Sequence, residues 1–388
     1  MKILYYSPHP NLNNADDTGY ATHINEMINA FEDLGHQVLP LIMGGREKRN
    51  VQEIQTSFFK KILKKVIHKY IWESLKDINL RKFDIYAKNK LIETFEKFSP
   101  DIIYERANYF QSSGVEVAKQ FKIKHILEVN SPYVEERINL QGKSFFLKKA
   151  QKIEKKILLN TDRILVVSSS LKDYFLKKYH LNEKKIFVTP NAININKIKI
   201  DENLKLNLIK KYDLKDKIVI GFVGSFFKWH GIDLLINAFK VLNNKYENIK
   251  LLIVGDGDIF EELKELSSNN KNIIFTGSIK HKNIFSYIDL MNITVAMSRN
   301  NWYGSPTKIF EYGIMEKAII APNEIPLKDV MTNKKDGLLI NPDVKSLIDA
   351  IEFYIENKNL MKDFALSFKN KIIKHRQWIN NVEIALKK

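Results

Sequence analysis

The run Ser305-Pro306-Thr307-Lys308-Ile309-Phe310-Glu311-Tyr312 sets a serine at a helix cap and a proline at the first helical position. A helix begun this way exposes unpaired amides with positive partial charge, which suits an anion. Lys308 adds a full charge in the first turn, against the dipole preference, and so fits an external anion; a lysine on a solvated face is the other reading. Glu311 can accept two hydroxyls at once, as a ribose diol presents them, although a lone glutamate is also an ordinary surface residue. Upstream, Val223-Gly224-Ser225-Phe226-Phe227-Lys228-Trp229-His230-Gly231 closes a strand on one glycine and opens a helix on another, with Lys228 and His230 as cations for a diphosphate. A phosphate neighbour raises an imidazole pKa, so His230 is expected to be protonated beside such a ligand. Val254-Gly255-Asp256-Gly257-Asp258 also ends a strand at a ligand-facing turn, but Phe260 stands where a dinucleotide fingerprint needs its third glycine. Asp256 and Asp258 read either as a divalent-ion grip or, the preferred reading, as a turn whose Asp258 caps the helix near Ile259; no metal is expected. The chemistry indicated is stabilisation of a departing diphosphate by fixed dipoles and cations: Lys308 and His230, with the amides behind Ser305.

Two further junctions carry less. Asp17-Thr18-Gly19-Tyr20 either brings bare amides to a phosphate or sugar or is a plain helix cap. Gln141-Gly142-Lys143-Ser144 has half of a P-loop, but Arg137 occupies the place of the first glycine, so a loop is expected there.

These residues need strands to end beside them. Short β-branched runs fall in two series, each run followed by an amphipathic stretch. The first is Ile3–Tyr6, Val38-Leu39, Ile102–Tyr104, Ile126–Val129, Ile164–Val167 and Ile186–Val188; the second is a run from Ile218, then Leu251–Val254, Ile273–Phe275, Ile293–Ala296, Ala318–Ala321 and Leu338–Ile340. Ile24, Met27, Ile28, Phe31 and Leu34 before Gly35, and Leu235, Ala238 and Leu242 after Gly231, recur at helical spacing and read as crossover helices. Open parallel sheets bind ligands beyond the carboxyl ends of their strands, where the junctions above lie. The polar stretch from Pro190 to Leu206 reads as a linker, and Lys371 to Lys388 as a last helix.

The 388 residues suit two domains, and 44% apolar with 28% charged residues is ordinary globular composition. The absence of cysteine removes disulfides, thiolate metal sites and cysteine nucleophiles, and a cytoplasmic protein is expected. The opening Met1-Lys2-Ile3-Leu4-Tyr5-Tyr6 reads as a buried strand rather than a signal peptide, and no apolar run reaches membrane-span length. A net charge of +17 points to an anionic partner: phosphorylated small molecules, a lipid surface or nucleic acid. No basic face with stacking aromatics is apparent, so nucleic acid is not expected. In Phe58 to Arg81, Phe59, Leu63, Val66, Tyr70 and Ile71 follow helical spacing with Lys60, Lys61, Lys64, Lys65 and Lys69 between them; this is either a helix lying on an anionic membrane, at the inner face of the cell membrane, or a core helix with a basic solvated face.

Taken together, Val223 to Gly231, Val254 to Gly257, Phe275-Thr276-Gly277-Ser278, and Ser305 to Tyr312 followed by Lys317–Ala321 resemble the donor half of family 4 retaining glycosyltransferases (glycosyl transferases group 1). Thr189-Pro190-Asn191-Ala192 is similar to the family's Pro-Asn-Gly junction, and Gly19 sits where its N-terminal glycine loop belongs. The resemblance implies an α/β GT-B fold: two Rossmann-like domains facing each other across a cleft. It places an acceptor-side domain at 1–195, joined by a returning helix at 371–388, and a nucleotide-sugar domain at 207–365. It further implies a UDP- or GDP-sugar co-substrate, no required cofactor or metal, retention of anomeric configuration, and a saccharide or lipid-linked acceptor in envelope polysaccharide or glycolipid synthesis. Lys308, His230 and Glu311 take the catalytic positions, and Gly19, Gly224, Ser225, Lys228, Gly255, Gly257, Gly277, Ser305, Pro306 and Thr307 line the donor. The chain departs from the family pattern at Tyr303, where a first glutamate is usual, at Ser225 and His230, where arginine and lysine are usual, and at Glu128-Val129-Asn130, where a histidine is frequent. Asn130 or Glu128 is expected to meet donor sugar or acceptor. A sugar-nucleotide 2-epimerase of the same fold and a non-catalytic nucleotide-sugar-binding subunit are the competing readings.

Overall fold

A computed structural model describes residues 1–16, 18–47, 68–268, 270–299, 303–305 and 307–387. The chain divides into two units, Met1–Thr189 with Trp378–Lys388, and Pro190–Gln377.

In the first unit β1 (Lys2–Ser7), β2 (Gln37–Ile42), β3 (Ile102–Arg106), β4 (Lys124–Val129), β5 (Arg163–Val166) and β6 (Ile186–Val188) form one sheet in the order β2-β1-β3-β4-β5-β6, parallel throughout. Ile3, Leu4, Tyr5 and Tyr6 are all fully buried, as a strand covered on both faces requires. Strand order reverses between β1 and β3, so the loops leaving those two strands diverge and leave a crevice at their carboxyl ends.

The second unit carries β7 (Ile218–Val223), β8 (Ile249–Val254), β9 (Ile273–Phe275), β10 (Ile293–Val295), β11 (Ala318–Pro322) and β12 (Leu338–Ile340), in the parallel order β12-β11-β10-β7-β8-β9. This is the dinucleotide-fold order, with its reversal between β7 and β10. Alternate residues face alternate cores. Ile220, Phe222, Leu251 and Ile253 pack under the helices Ile232–Lys245 and Val344–Glu356, while Val219, Val223, Leu252 and Val254 pack under Thr307–Ile314 and Lys358–His375. Every run expected to be a strand forms one.

Two expectations need correction. The stretch from Pro190 to Leu206 is no loose linker: it contains the short turn Ile195–Lys197 and the start of the helix Glu202–Lys211, and it belongs to the second unit. Its polar side chains are spent locally, Asn194 accepting from the Asn196 amide and Asp201 from Leu204. The last helix is also two. Lys358–His375 stops where the Arg376 carbonyl accepts from the Ile193 amide at 3.0 Å, and only the helix Trp378–Leu386 joins the first unit, where Trp378 meets His23 edge-on.

Candidate functional site

At the switch point of the second sheet, the chain leaves β7 through Gly224 and leaves β10 toward the helix Thr307–Ile314. Tyr312, fully buried on that helix, accepts from the Val223 amide at 2.8 Å and so ties the helix to the end of β7. Lys308 lies one turn earlier on the same face and is thereby delivered to the Gly224 junction. A Cβ at Gly224 would stand 2.8 Å from the Lys308 Nζ. The lysine's aliphatic stem is part-exposed, but Nζ is enclosed; it sits 4.2 Å from the Phe222 ring centroid and has no hydrogen-bond partner. Burial pulls its pKa down to about 8, with the Glu311 carboxylate opposing. A buried ammonium whose three donors are unspent is costly, and a ligand anion is the natural complement.

His230 lies beside it in the turn Lys228–His230. Its Nδ1 donates to the Ser225 carbonyl at 2.5 Å, which puts the proton on Nδ1 and the lone pair on Nε2. Burial and the nearby Lys308 push the imidazole down to about 4, so without a ligand His230 is neutral at pH 7, and the charge expected of it beside a diphosphate depends on that ligand. Lys228 points outward, 76% exposed and 3.7 Å from Glu262, because the short turn holds it on the outer side; it is not gathered with Lys308. Glu311 is largely buried, with Oε1 3.6 Å from His281 Nε2. His281, in the loop after Gly277, was missed by the sequence reading, although a histidine four residues past a strand-end glycine was a usable signal.

Ser305 is buried, its hydroxyl accepting from the Asn191 amide at 3.0 Å and its carbonyl from Asn191 Nδ2 at 2.8 Å. Asn191 therefore holds the approach to the helix from the first residues of the unit, a clasp the sequence did not disclose. Thr307 is exposed, Tyr303 is part-buried, and Pro306 lies outside the described residues.

The glycines separate into two kinds. A Cβ on Gly255 would fall 2.0 Å from the Gly224 carbonyl oxygen, and one on Gly257 2.6 Å from the Phe226 amide nitrogen, so these two let the β7 and β8 loops touch rather than facing a ligand as expected. Nothing lies within 4 Å of the Cβ position at Gly277 or Gly19, as close approach of a ligand needs. Because Gly255 also has φ +135°, Gly255→Ala should cost about 2–4 kcal/mol, whereas Gly277→Ala (φ +73°) should cost only about 1–2 kcal/mol of αL strain. Urea denaturation of the two variants measures the difference. Asp256 accepts from the Gly257 amide at 2.7 Å, and the helix Phe260–Leu266 has no side-chain cap, so Asp258 does not cap it. Among the described residues no group of three or more His, Cys, Asp or Glu is arranged to hold a metal ion.

In the first unit Thr18 caps the helix Gly19–Asp33 through its hydroxyl, so the cap and the open glycine coexist. Glu128, at the end of β4, is buried and accepts from Tyr104 (2.7 Å), Asn130 Nδ2 (2.6 Å) and Arg106, with His23 Nε2 at 3.0 Å. Despite burial, His23 and Arg106 hold its carboxyl far below the usual range. With both oxygens spent, Glu128 anchors the core and cannot meet sugar or acceptor, contrary to expectation. Asn130 is part-exposed, its amide turned inward to Glu128. At the switch point of this sheet, a cavity of about 960 Å³ is lined by His9, Asn11, Trp72, Asn108, Tyr109 and Leu140, among others. In the Gln141–Ser144 tetrad, Gln141 ends the helix Tyr133–Gln141 and the rest is the expected loop: Ser144 bonds Asp77, and Arg137 pairs with Glu73 at 2.9 Å.

Two six-stranded parallel sheets covered by helices are the architecture of the GT-B class of proteins. A glycosyltransferase from Rickettsia africae superposes with a TM-score of 0.72 at 18% identity, over 99% of this chain and 97% of that one. Anabaena HepE, solved in complex with UDP, gives 0.72 at 14% identity over 99% and 98%. The model for glycosyl transferases group 1 matches residues 205–370, and that for glycosyltransferase family 4 matches residues 18–197. The chain belongs to this group 1/family 4 of glycosyltransferases. An uncharacterised glycosyltransferase of Methanocaldococcus jannaschii is 29% identical over 298 residues, 74% of each chain. The capsular polysaccharide biosynthesis glycosyltransferase CapM of Staphylococcus aureus is 29% identical over 182 residues, 45% of this chain and 46% of its own.

Proposed function

We propose that the protein transfers a sugar, with retention, from a UDP- or GDP-sugar to a saccharide or lipid-linked acceptor in envelope polysaccharide or glycolipid synthesis, without a metal. The observation that carries this reading is the Lys308 ammonium, enclosed and unpartnered beside Gly224. The diphosphate lies against Gly224, Ser225 and the start of the helix Thr307–Ile314, and Lys308 meets the negative charge that grows on the β-phosphate as the sugar leaves. His230 presents its Nε2 to the same ligand, and a phosphate beside it raises its pKa from the ligand-free value of about 4. Glu311 accepts from the ribose diol. Tyr303 replaces the glutamate that usually reads the donor sugar, so the hexose is one that does not need that carboxylate. The acceptor occupies the cavity at the β1–β3 switch point, and a room of that size on the unit that does not hold the nucleotide favours a two-substrate transferase over an epimerase. The presence of CapM among the relatives supports a polysaccharide or glycolipid product.

UDP or GDP should raise the melting temperature of the protein, since a ligand of the native state alone stabilises it; a flat response to both nucleotides and their sugars overturns the reading. Glu311→Ala should weaken nucleotide binding about tenfold, the size of a charged hydrogen bond. In a titration comparing UDP with 2′-deoxy-UDP, the wild type should prefer the ribonucleotide, and the variant should show no preference.

A further inference from the structure

The helix Lys69–Phe98 separates its side chains by charge in an unusual way. Its acids between Lys69 and Asn89 are all turned inward: Glu73 and Asp77 pair with Arg137, and Asp84 pairs with Arg81 and accepts from the Ser112 amide. Its outward face over the same span carries Ile71, Leu75, Ile78 and Ile85 in one stripe at spacings of four, three and seven, with Lys82 exposed among them. Ile85 is 61% exposed, a large apolar side chain that the core does not need.

A neighbouring loop packs on the start of the same helix. Gly142 lies against the stem of Lys69, and Phe145 meets Tyr70 edge-on at 4.3 Å between ring centroids while remaining 66% exposed. Lys143, Lys148 and Lys149 around it are exposed, as is Glu136 on the cavity wall. Exposed apolar side chains accompanied by exposed lysines, with the helix's own acids neutralised inside, are complementary to a surface that is apolar beneath and negative at its rim.

We propose that this face docks on an anionic lipid bilayer. The apolar stripe enters the headgroup boundary, Lys82 and Lys143 contact lipid phosphates, and the helix lies in the plane of the membrane. No helix among the described residues is long and apolar enough to cross one. Leu75 lies both on this face and on the wall of the large cavity, so docking sets the cavity wall beside the lipid. The proposal does not depend on the identity of donor or acceptor.

The test is flotation of the full chain with phosphatidylcholine vesicles, with and without phosphatidylglycerol. The wild type should float with the mixed vesicles and stay behind with phosphatidylcholine alone. The pair Ile78→Glu with Ile85→Glu, and separately the pair Lys82→Glu with Lys143→Glu, should each lower partitioning more than about tenfold. UDP-dependent thermal stabilisation should be unchanged in both, reporting an intact second unit. The lysine pair, confined to exposed positions, keeps the test decisive if the isoleucine pair folds poorly. Absence of wild-type flotation with the mixed vesicles, or variants that float like the wild type, overturns the proposal. A wild-type dimer in light scattering that the isoleucine pair dissolves also overturns it, by giving the stripe to a second copy of the chain.

Discussion

Replacing Lys308 with methionine is expected to lower sugar transfer by roughly 10²- to 10³-fold, the loss seen when one preorganised group facing transition-state charge is removed, while making the protein more stable. The second half of this expectation follows from linkage. The Lys308 pKa of about 8 lies below that of an unfolded lysine, so at neutral pH the fold pays to keep the ammonium charged inside. Between pH 8 and the unfolded value near 10.4 the unfolded chain binds the extra proton, and stability therefore rises with pH across that window. Methionine keeps the volume of the stem and discards the charge. The gain at pH 7 is of the order of 3 kcal/mol, read as a higher denaturant midpoint. Loss of turnover joined to gain of stability marks a residue kept for a ligand; a lysine holding the fold together would show the reverse.

Glu128→Ala should do the opposite and damage the fold itself. Removing this carboxylate leaves Arg106 as a buried charge without its partner and strips acceptors from Tyr104, His23 and Asn130. Breaking a buried pair from one side costs roughly 3–5 kcal/mol. The sign with pH is the usual one for a depressed carboxyl: its stabilisation is present above the unfolded pKa of about 4.3 and fades as acid approaches the much lower folded value. Chemical denaturation at neutral pH and near pH 4 should show the wild type losing stability on acidification and the variant losing less.

These two residues also show where sequence reasoning reached and where it stopped. The strands were legible because each is a short β-branched run whose two faces are both covered, a pattern little else produces. Lys308 was legible because a cation in a helix's first turn opposes the dipole and so asks for a reason. Glu128 was not, because a carboxylate at a strand end looks the same in sequence whether its oxygens face a ligand or are spent on an arginine twenty-two residues earlier. Gly255 and Gly257 misled for a related reason: glycine marks close approach, and only the structure shows that the approaching group is the β7 loop. The turn Lys228–His230 sends its two basic side chains in different directions, Lys228 to solvent and His230 onto the Ser225 carbonyl. The Asn191–Ser305 clasp and the break at Arg376 depend on chain segments that are distant in sequence, and no local pattern announces them.

The most direct measurement is the affinity for UDP from pH 7 upward, in wild type and in Lys308→Met, by calorimetry. If the enclosed ammonium receives the diphosphate, wild-type affinity holds to about pH 8 and then falls by up to tenfold per pH unit, and the variant binds weakly with a flat profile. Parallel profiles of similar affinity in the two proteins would contradict the assignment of Lys308 to the phosphates.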